Sequence, residues 1–205
     1  MNSAPSPLAS LPFGTHPLPP GTLACLVTFL EMRARPARRG PERAPGGANL
    51  VSLADDVDRY LALYRRLGER WLWFSRLEIG REDLAAIIAD PRVAAFAVVV
   101  EGRDCGLLEL DFRQEGEAEL AFFGLTEDVI GLGLGRWLMD EALALAWSRP
   151  ISRLFVHTCN FDHPRAIAFY RSSGFAPCRL ALEFVRDPRL TVLDAPGLFP
   201  DLPPA

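Results

Sequence analysis

The sequence predicts an α+β domain built on a mixed, mostly antiparallel twisted sheet flanked by helices, and three observations predict it. Apolar, β-branched-rich runs follow one another through Val93–Val100, Cys105–Phe112 and Glu117–Leu125, with only the short turns Glu101–Asp104 and Arg113–Gly116 between them. That is the pattern of antiparallel neighbours. Beyond them the chain alternates helix, strand, helix and strand, which requires helices to lie across a sheet. With 205 residues, 49% of them hydrophobic, it fills one core well and is too short for two large ones.

The elements follow in order. Residues 1–21 are rich in Pro and Ser and read as a flexible N-terminal arm. Leu, Val, Thr and Phe crowd Thr22–Met32, the first strand, and the Arg, Pro and Gly of Arg33–Gly47 predict a mobile loop. From Val51 to about Ile79 a helix is expected, because Val57, Tyr60, Leu61, Tyr64 and Leu67 recur at helical spacing; the aromatic cluster Trp71, Trp73 and Phe74 follows. A second helix, Arg81–Ala89, is stopped by Pro91. After the three strands, a helix to Trp147 places Leu134, Trp137, Leu138, Ala142 and Leu145 on one face and ends before Pro150. Ile151–Thr158 is a strand, a helix follows His163, and Ala176–Val185 is the last strand. The expected domain is therefore 22–186, and 187–205 is a proline-rich C-terminal tail, expected to lie on the surface or to be disordered.

Composition narrows the function classes. No apolar run approaches the ~20 residues of a membrane span, and the N-terminus lacks a basic segment followed by an apolar one, so neither a membrane partner nor a signal peptide is expected. Cys25, Cys105, Cys159 and Cys178 are scattered without paired spacing, which indicates no metal site and no disulfide framework. A reducing cytoplasm is the expected location. A net charge of −4 with dispersed arginines argues against nucleic acid.

Chemistry is concentrated between Ala118 and Arg136. The strand Ala118–Leu125 leads through Ile130-Gly131-Leu132-Gly133-Leu134-Gly135-Arg136 into a helix. Such a turn presents unpaired backbone N–H groups at a helix N-terminus, where a diphosphate is favoured. The dinucleotide fingerprint GxGxxG fails, since Arg136 or Leu138 falls where its third glycine belongs. No lysine follows, so the P-loop pattern fails too. The turn resembles the pyrophosphate loop of the GNAT acyltransferase superfamily, (Q/R)xxGx(G/A), with Gly133 and Gly135 at its small positions. Ile130 departs from it, standing where that loop has Gln or Arg. Downstream, the segment from His163 to Phe175 is similar to the family's NxxAxxFYxxxGF helix: Ala166, Phe169-Tyr170 and Gly174-Phe175 match, and His163 occupies the Asn position.

The resemblance spans roughly Glu117 to Phe184, with weaker agreement back to Thr22. It implies that the strands Glu117–Leu125 and Ile151–Thr158 run parallel and splay apart to hold the pantetheine arm of acetyl-CoA (coenzyme A). Phe123, Gly124 and Leu125 would make the strand-side contacts, with Gly124 marking a bulge. Ile130, Gly131, Leu132, Gly133, Leu134, Gly135 and Arg136 would hold the pyrophosphate. Asn160, Pro164 and Phe169 would complete the site, with Asn160 and His163 both candidates to face the pantetheine. The implied activity is N-acetyl transfer to a primary amine by direct transfer in a ternary complex. Such a reaction needs a base to free the amine lone pair. Glu119, in the Ala-Glu-Leu run before the splay, matches the family's catalytic glutamate, and Tyr170 its thiolate-protonating tyrosine. His157 is read as a strand side chain that shapes the acceptor site at most, Cys159 as packing, and His163 as a helix-cap neighbour.

A non-catalytic acyl-CoA-binding sensor is the alternative, although a sensor has no need of both Glu119 and Tyr170. The acceptor is left open between a small molecule and a peptide or protein amine. Glu109, Asp111 and Glu119, placed on one side by period two, favour a cationic one. Many relatives pair, so a homodimer is compatible with the resemblance.

Overall fold

Seven segments adopt extended backbone: β1 (Thr22–Met32), β2 (Asn49–Ser52), β3 (Val93–Val100), β4 (Arg103–Asp111), β5 (Glu117–Leu125), β6 (Arg153–Cys159) and β7 (Ala176–Arg186). They form one sheet in the order β2-β3-β4-β5-β6-β1-β7. Every neighbouring pair is antiparallel except β5 and β6, which run parallel. The structure is a computed structural model describing residues 13–38 and 40–193. Most of the expected arm, one position of the Arg-rich loop and the tail from 194 onward lie outside the described residues.

Local chemistry explains the boundaries. The β3–β4 turn consists of Glu101 and Gly102 alone, both at positive φ (50° and 75°), the two-residue hairpin whose twist matches that of its strands. Arg103 and Asp104, expected in the turn, already pair with Val100 and Val99. Helix α1 (Val57–Gly68) starts where the Asp56 side chain accepts a hydrogen bond from Arg59 N at 3.0 Å. The expected helix from Val51 to Ile79 is therefore shorter at both ends. Asn49–Ser52 is β2, with Val51 against Ala97 of β3, and the chain beyond Gly68 makes one tight turn before running irregularly to helix α2 (Arg81–Ala89).

Helices cover both faces. α1 and α2 bury Tyr60, Leu63, Tyr64, Leu84 and Ile88 against Ala95, Ala97 and Leu107. On the opposite face, α3 (Leu134–Ala146) and α4 (Ala166–Ser173) bury Leu138, Met139, Ala142 and Tyr170 against Leu110, Leu120, Leu154 and Val156.

The first strand lies deep in the sheet, between β6 and β7, so the N-terminal segment joins the two strands that come last in the chain. Beyond Arg186, where a surface tail was expected, residues 187–193 pack on the fold. Asp187 N donates to Gly21 O at 2.9 Å, the buried Asp187 carboxylate binds Arg189, and Leu193 meets Leu23 and Leu72.

Candidate functional site

The site begins where two strands part. Pairing between β5 and β6 covers Glu117 with Arg153, Ala118 with Leu154 and Glu119 with Phe155, and then stops. From Leu120 onward the two strands diverge, leaving a row of β5 backbone groups without a β6 partner. The kink has a visible cause. β4 pairs Leu110 with Leu120 and Glu109 with Phe122, so Ala121 is an extra residue in β5. The bulge therefore lies at Ala121 and not at Gly124, which keeps its partner Leu107. Gly124 has a packing reason of its own, since a Cβ there would approach Trp73 to 3.3 Å.

Between the parted strands lies a cavity of about 940 Å³, large enough for an extended cofactor arm and an acceptor. Phe123, Gly124 and Leu125 line it from β5, and Phe169 and Tyr170 from α4. Gly131, Gly133, Gly135 and Arg136 line it at the start of α3. Gly131 and Gly133 both have positive φ (89° and 84°), and the first helix bond runs from Trp137 N to Gly133 O. The N–H groups of Leu134, Gly135 and Arg136 therefore have no intrahelical acceptor. A Cβ at Gly131 would meet nothing within 4 Å, so the space beside this turn is open. The residues present fit a diphosphate held by backbone N–H groups at a helix start.

Two proton-bearing groups frame the fork. His157 of β6 lines the cavity and Glu119 does not. The two are joined, with His157 Nδ1 2.9 Å from Glu119 Oε1. This contact spans the vertex, because Glu119 is the last β5 residue paired to β6. Its hydrogen bond with Glu119, opposed by burial, raises the His157 pKa above the ordinary 6.5; Asp162 and Glu183 add to the rise. Since the carboxylate accepts, Nδ1 carries the proton and Nε2 is the nitrogen left for the cavity. Tyr170 is 8% exposed and lines the cavity, and its hydroxyl has no hydrogen-bond partner among the described residues. Burial raises its pKa, so the phenol keeps its proton.

The opposite wall comes from the irregular segment after α1. Trp71 and Trp73 line the cavity, and Trp73 Nε1 donates to Asp162 Oδ1 at 3.0 Å. Asp162 also accepts from Thr158 Oγ1 (2.7 Å) and Cys159 N (2.9 Å), tying this wall to the end of β6. Beneath it, Arg76 and Tyr60 both donate to Glu109, each at 2.5 Å, and Glu109 is fully buried. Asp111 is bound by Arg113. The acidic row expected to favour a cation is thus largely neutralised by the protein's own arginines.

The remaining sequence candidates divide. Ile130 lines the cavity; exposed Leu132 and core-buried Leu134 do not. The Arg136 guanidinium is spent on α4, donating to Ser172 Oγ at 2.7 Å. Asn160 accepts from Leu26 N of β1 at 2.7 Å and, with Pro164, is outside the lining, whereas His163 lines the cavity and packs against Trp71 with the rings tilted, centroids 5.3 Å apart. Asp162 and the coupling of His157 to Glu119 were not apparent in the sequence. Period two does put His157 and Cys159 on one face of β6, the signal available.

Comparison with known proteins follows the same lines. Residues 52–175 match the acetyltransferase (GNAT) family model, more than half of the chain. A stretch of 68 residues is 35% identical to the mycothiol acetyltransferase of Jonesia denitrificans, covering 33% of this chain and 21% of that enzyme. The structure superposes on a GCN5-related N-acetyltransferase from Sphaerobacter thermophilus with TM-score 0.54 and 15% identity, covering 80% of this chain and 52% of that one. An acetyltransferase from Thermus thermophilus gives TM-score 0.51 and 21% identity, covering 67% and 96%. At these identities the structural likeness concerns the fold.

Proposed function

The chain belongs to the GNAT acetyltransferase family, and from that premise we propose that it is an N-acetyltransferase moving an acetyl group from acetyl-CoA to a primary amine by direct transfer in a ternary complex. The observation that carries this reading is the fork: a cavity of about 940 Å³ opening where β5 leaves β6, with the His157–Glu119 pair at its vertex.

Acetyl-CoA would supply an acetyl group activated as a thioester. The open edge of β5 from Leu120 to Leu125 would accept and donate hydrogen bonds to the amides of its arm, and the N–H groups of Leu134, Gly135 and Arg136 would hold its diphosphate. An amine attacks only as the free base, so a proton must be taken from it. His157 takes that proton at Nε2, while Glu119 keeps Nδ1 protonated and balances the imidazolium that forms. Glu119 thus acts through His157. Tyr170 holds a proton at its hydroxyl, facing the cavity and available to a sulfur leaving group. The Trp71 and Trp73 wall would hold the body of the acceptor amine, whether small molecule or peptide.

The test is isothermal titration with acetyl-CoA, followed in the same preparation by free-thiol release across a panel of amines and N-terminal peptides. Binding is expected, with acceptor-dependent thiol release that falls on the order of 10²-fold in Tyr170→Phe. Binding without turnover on any acceptor would replace the enzyme with a cofactor sensor, and absence of binding would remove both.

A further inference from the structure

Beyond His157 the floor of the cavity continues across β1 to β7. Phe29 of β1 lies opposite His157 of β6, and four residues earlier Cys25 lies opposite Glu183 of β7. Alternation therefore puts His157 and Glu183 on one face, two strand spacings apart across the sheet and four residues apart along it, about 17 Å between their Cα atoms. Both side chains line the cavity, and Val27, Cys25 and Cys159 line it between them. The rise in the His157 pKa, due first to Glu119, has a contribution from Glu183. Leu72, Phe161 and Val185 line the Glu183 end and belong to one apolar cluster with Leu23 and Leu193.

Glu183 differs from the other carboxylates of the cavity. Glu127 pairs with Arg70, Asp128 faces Arg103 at 3.9 Å, and Asp162 accepts from Trp73, Thr158 and Cys159. Glu183 meets neither a cation nor an N–H group among the described residues. Arg179, on the same face of β7, is held instead over the Phe29 ring at 3.7 Å. The one hydrogen bond Glu183 makes there comes from the Cys25 thiol, which donates to Oε2 at 3.5 Å. Burial, Cys159 and Glu183 push that thiol up to about 12, so it keeps its proton. A protonated thiol is a weak donor and supplies no counter-charge. The carboxylate thus enters the cavity beside apolar side chains with no positive partner from the protein.

We propose that Glu183 is a specificity-determining residue that selects an acceptor with a second positive charge, an aliphatic di- or polyamine whose free amine meets His157 while a distal ammonium binds Glu183. The assignment rests on the acetyl transfer proposed above and names the acceptor class for it. A carboxylate gives an ammonium the charge-assisted hydrogen bonds it needs on leaving water. The floor between the two ends sets the rest of the class. Val27, Cys25 and Cys159 present no strong donor or acceptor from their side chains, so methylenes lie well against them. The amides of a peptide would go unpaired over the same floor. A free amino acid would bring a carboxylate toward Glu183, and a simple monoamine would leave Glu183 without a counter-charge.

Steady-state acetylation of hexamethylenediamine, hexylamine and ε-aminocaproate tests it, since these probes have nearly one length and end in an ammonium, a methyl and a carboxylate. The diamine should exceed hexylamine by about tenfold or more in kcat/KM, chiefly through KM. In Glu183→Gln that ratio should fall to near one. Glu183→Arg should move the preference to ε-aminocaproate, a gain that a damaged fold does not produce. Isothermal titration of the diamine into the full chain with coenzyme A present reads the same contact without turnover, and binding about tenfold weaker in E183Q is expected. Diamine binding that weakens in E183Q, with no amine acetylated, would remove acetyl transfer and keep the Glu183 contact. Amines acetylated without preference for the diamine, or a preference that survives in E183Q and E183R, would overturn the role of Glu183 and leave acetyl transfer standing. Neither turnover nor diamine binding would overturn both.

Discussion

Glu109 and Glu119 lie on adjacent strands and on the same face of the sheet, yet the fold has made them opposites. Glu109 is fully buried and is met by two donors, Arg76 and Tyr60. Its charge is matched by a guanidinium that cannot give up a proton under any ordinary condition. Glu119 is half-buried, and its partner toward the cavity is His157, an imidazole whose pKa this hydrogen bond raises above the ordinary 6.5. The first arrangement locks the segment after α1 to β4 and so fixes the wall carrying Trp71 and Trp73. The second can hold or release a proton. On the function proposed above, a carboxylate on this sheet becomes structural or chemical according to whether its partner titrates and whether that partner faces the cavity.

The largest effect expected is on the structural side. Glu109→Ala leaves Arg76 buried without its counter-charge and should cost about 3–5 kcal/mol of stability, measurable as a lowered denaturation midpoint. A variant as stable as the wild type would mean that Glu109 is not the anchor described here. On the chemical side, His157→Ala should lower kcat on the order of 10²-fold while leaving the denaturation midpoint nearly unchanged. Equal damage to stability and rate would dissolve the contrast between the two sites.

Glu119→Gln sharpens the contrast further, with a smaller loss on the order of tenfold and a change in pH dependence. His157 accepts a proton only when neutral, so the rate rises with pH through its pKa. Because Glu119 raises that pKa above 6.5, the acidic limb of kcat/KM should lie above 6.5 in the wild type and move to lower pH in Glu119→Gln. An unmoved limb would take His157 out of the proton path. The smallest effect lies away from both carboxylates. Asp56→Ala removes the α1 cap and should cost about 1 kcal/mol of stability, read by thermal melting, with kcat unaffected.

Much of this was legible in the residues. Strands β1, β3 and β5 and helix α2 have the boundaries that apolar periodicity and turn chemistry predict. The glycine turn before α3 was visible because a positive φ leaves a local mark in the choice of residue. Tyr170 was visible as part of a short motif. The short strand β2 was not, because Asn49–Ser52 has too few residues to show a period and is extended only through its bonds to β3. Asn160 could be picked out as polar at a strand end, but its acceptor oxygen turned out to serve Leu26, a residue distant in the chain. The bulge was expected at Gly124 on residue type, whereas the pairing of β4 with β5 puts it at Ala121.

By itself, then, the sequence determined what depends on near neighbours along the chain: which segments are extended or helical, where the chain turns, and that a glycine-rich turn opens the helix after β5. The tertiary structure decided what depends on which strand lies beside which. It inserted β1 between β6 and β7, ended the β5–β6 ladder at Glu119, put Arg76 against Glu109, and brought His157 to Glu119. Those pairings join residues far apart in sequence, and their hydrogen-bond register is set by the packing of both faces at once, which no local pattern encodes.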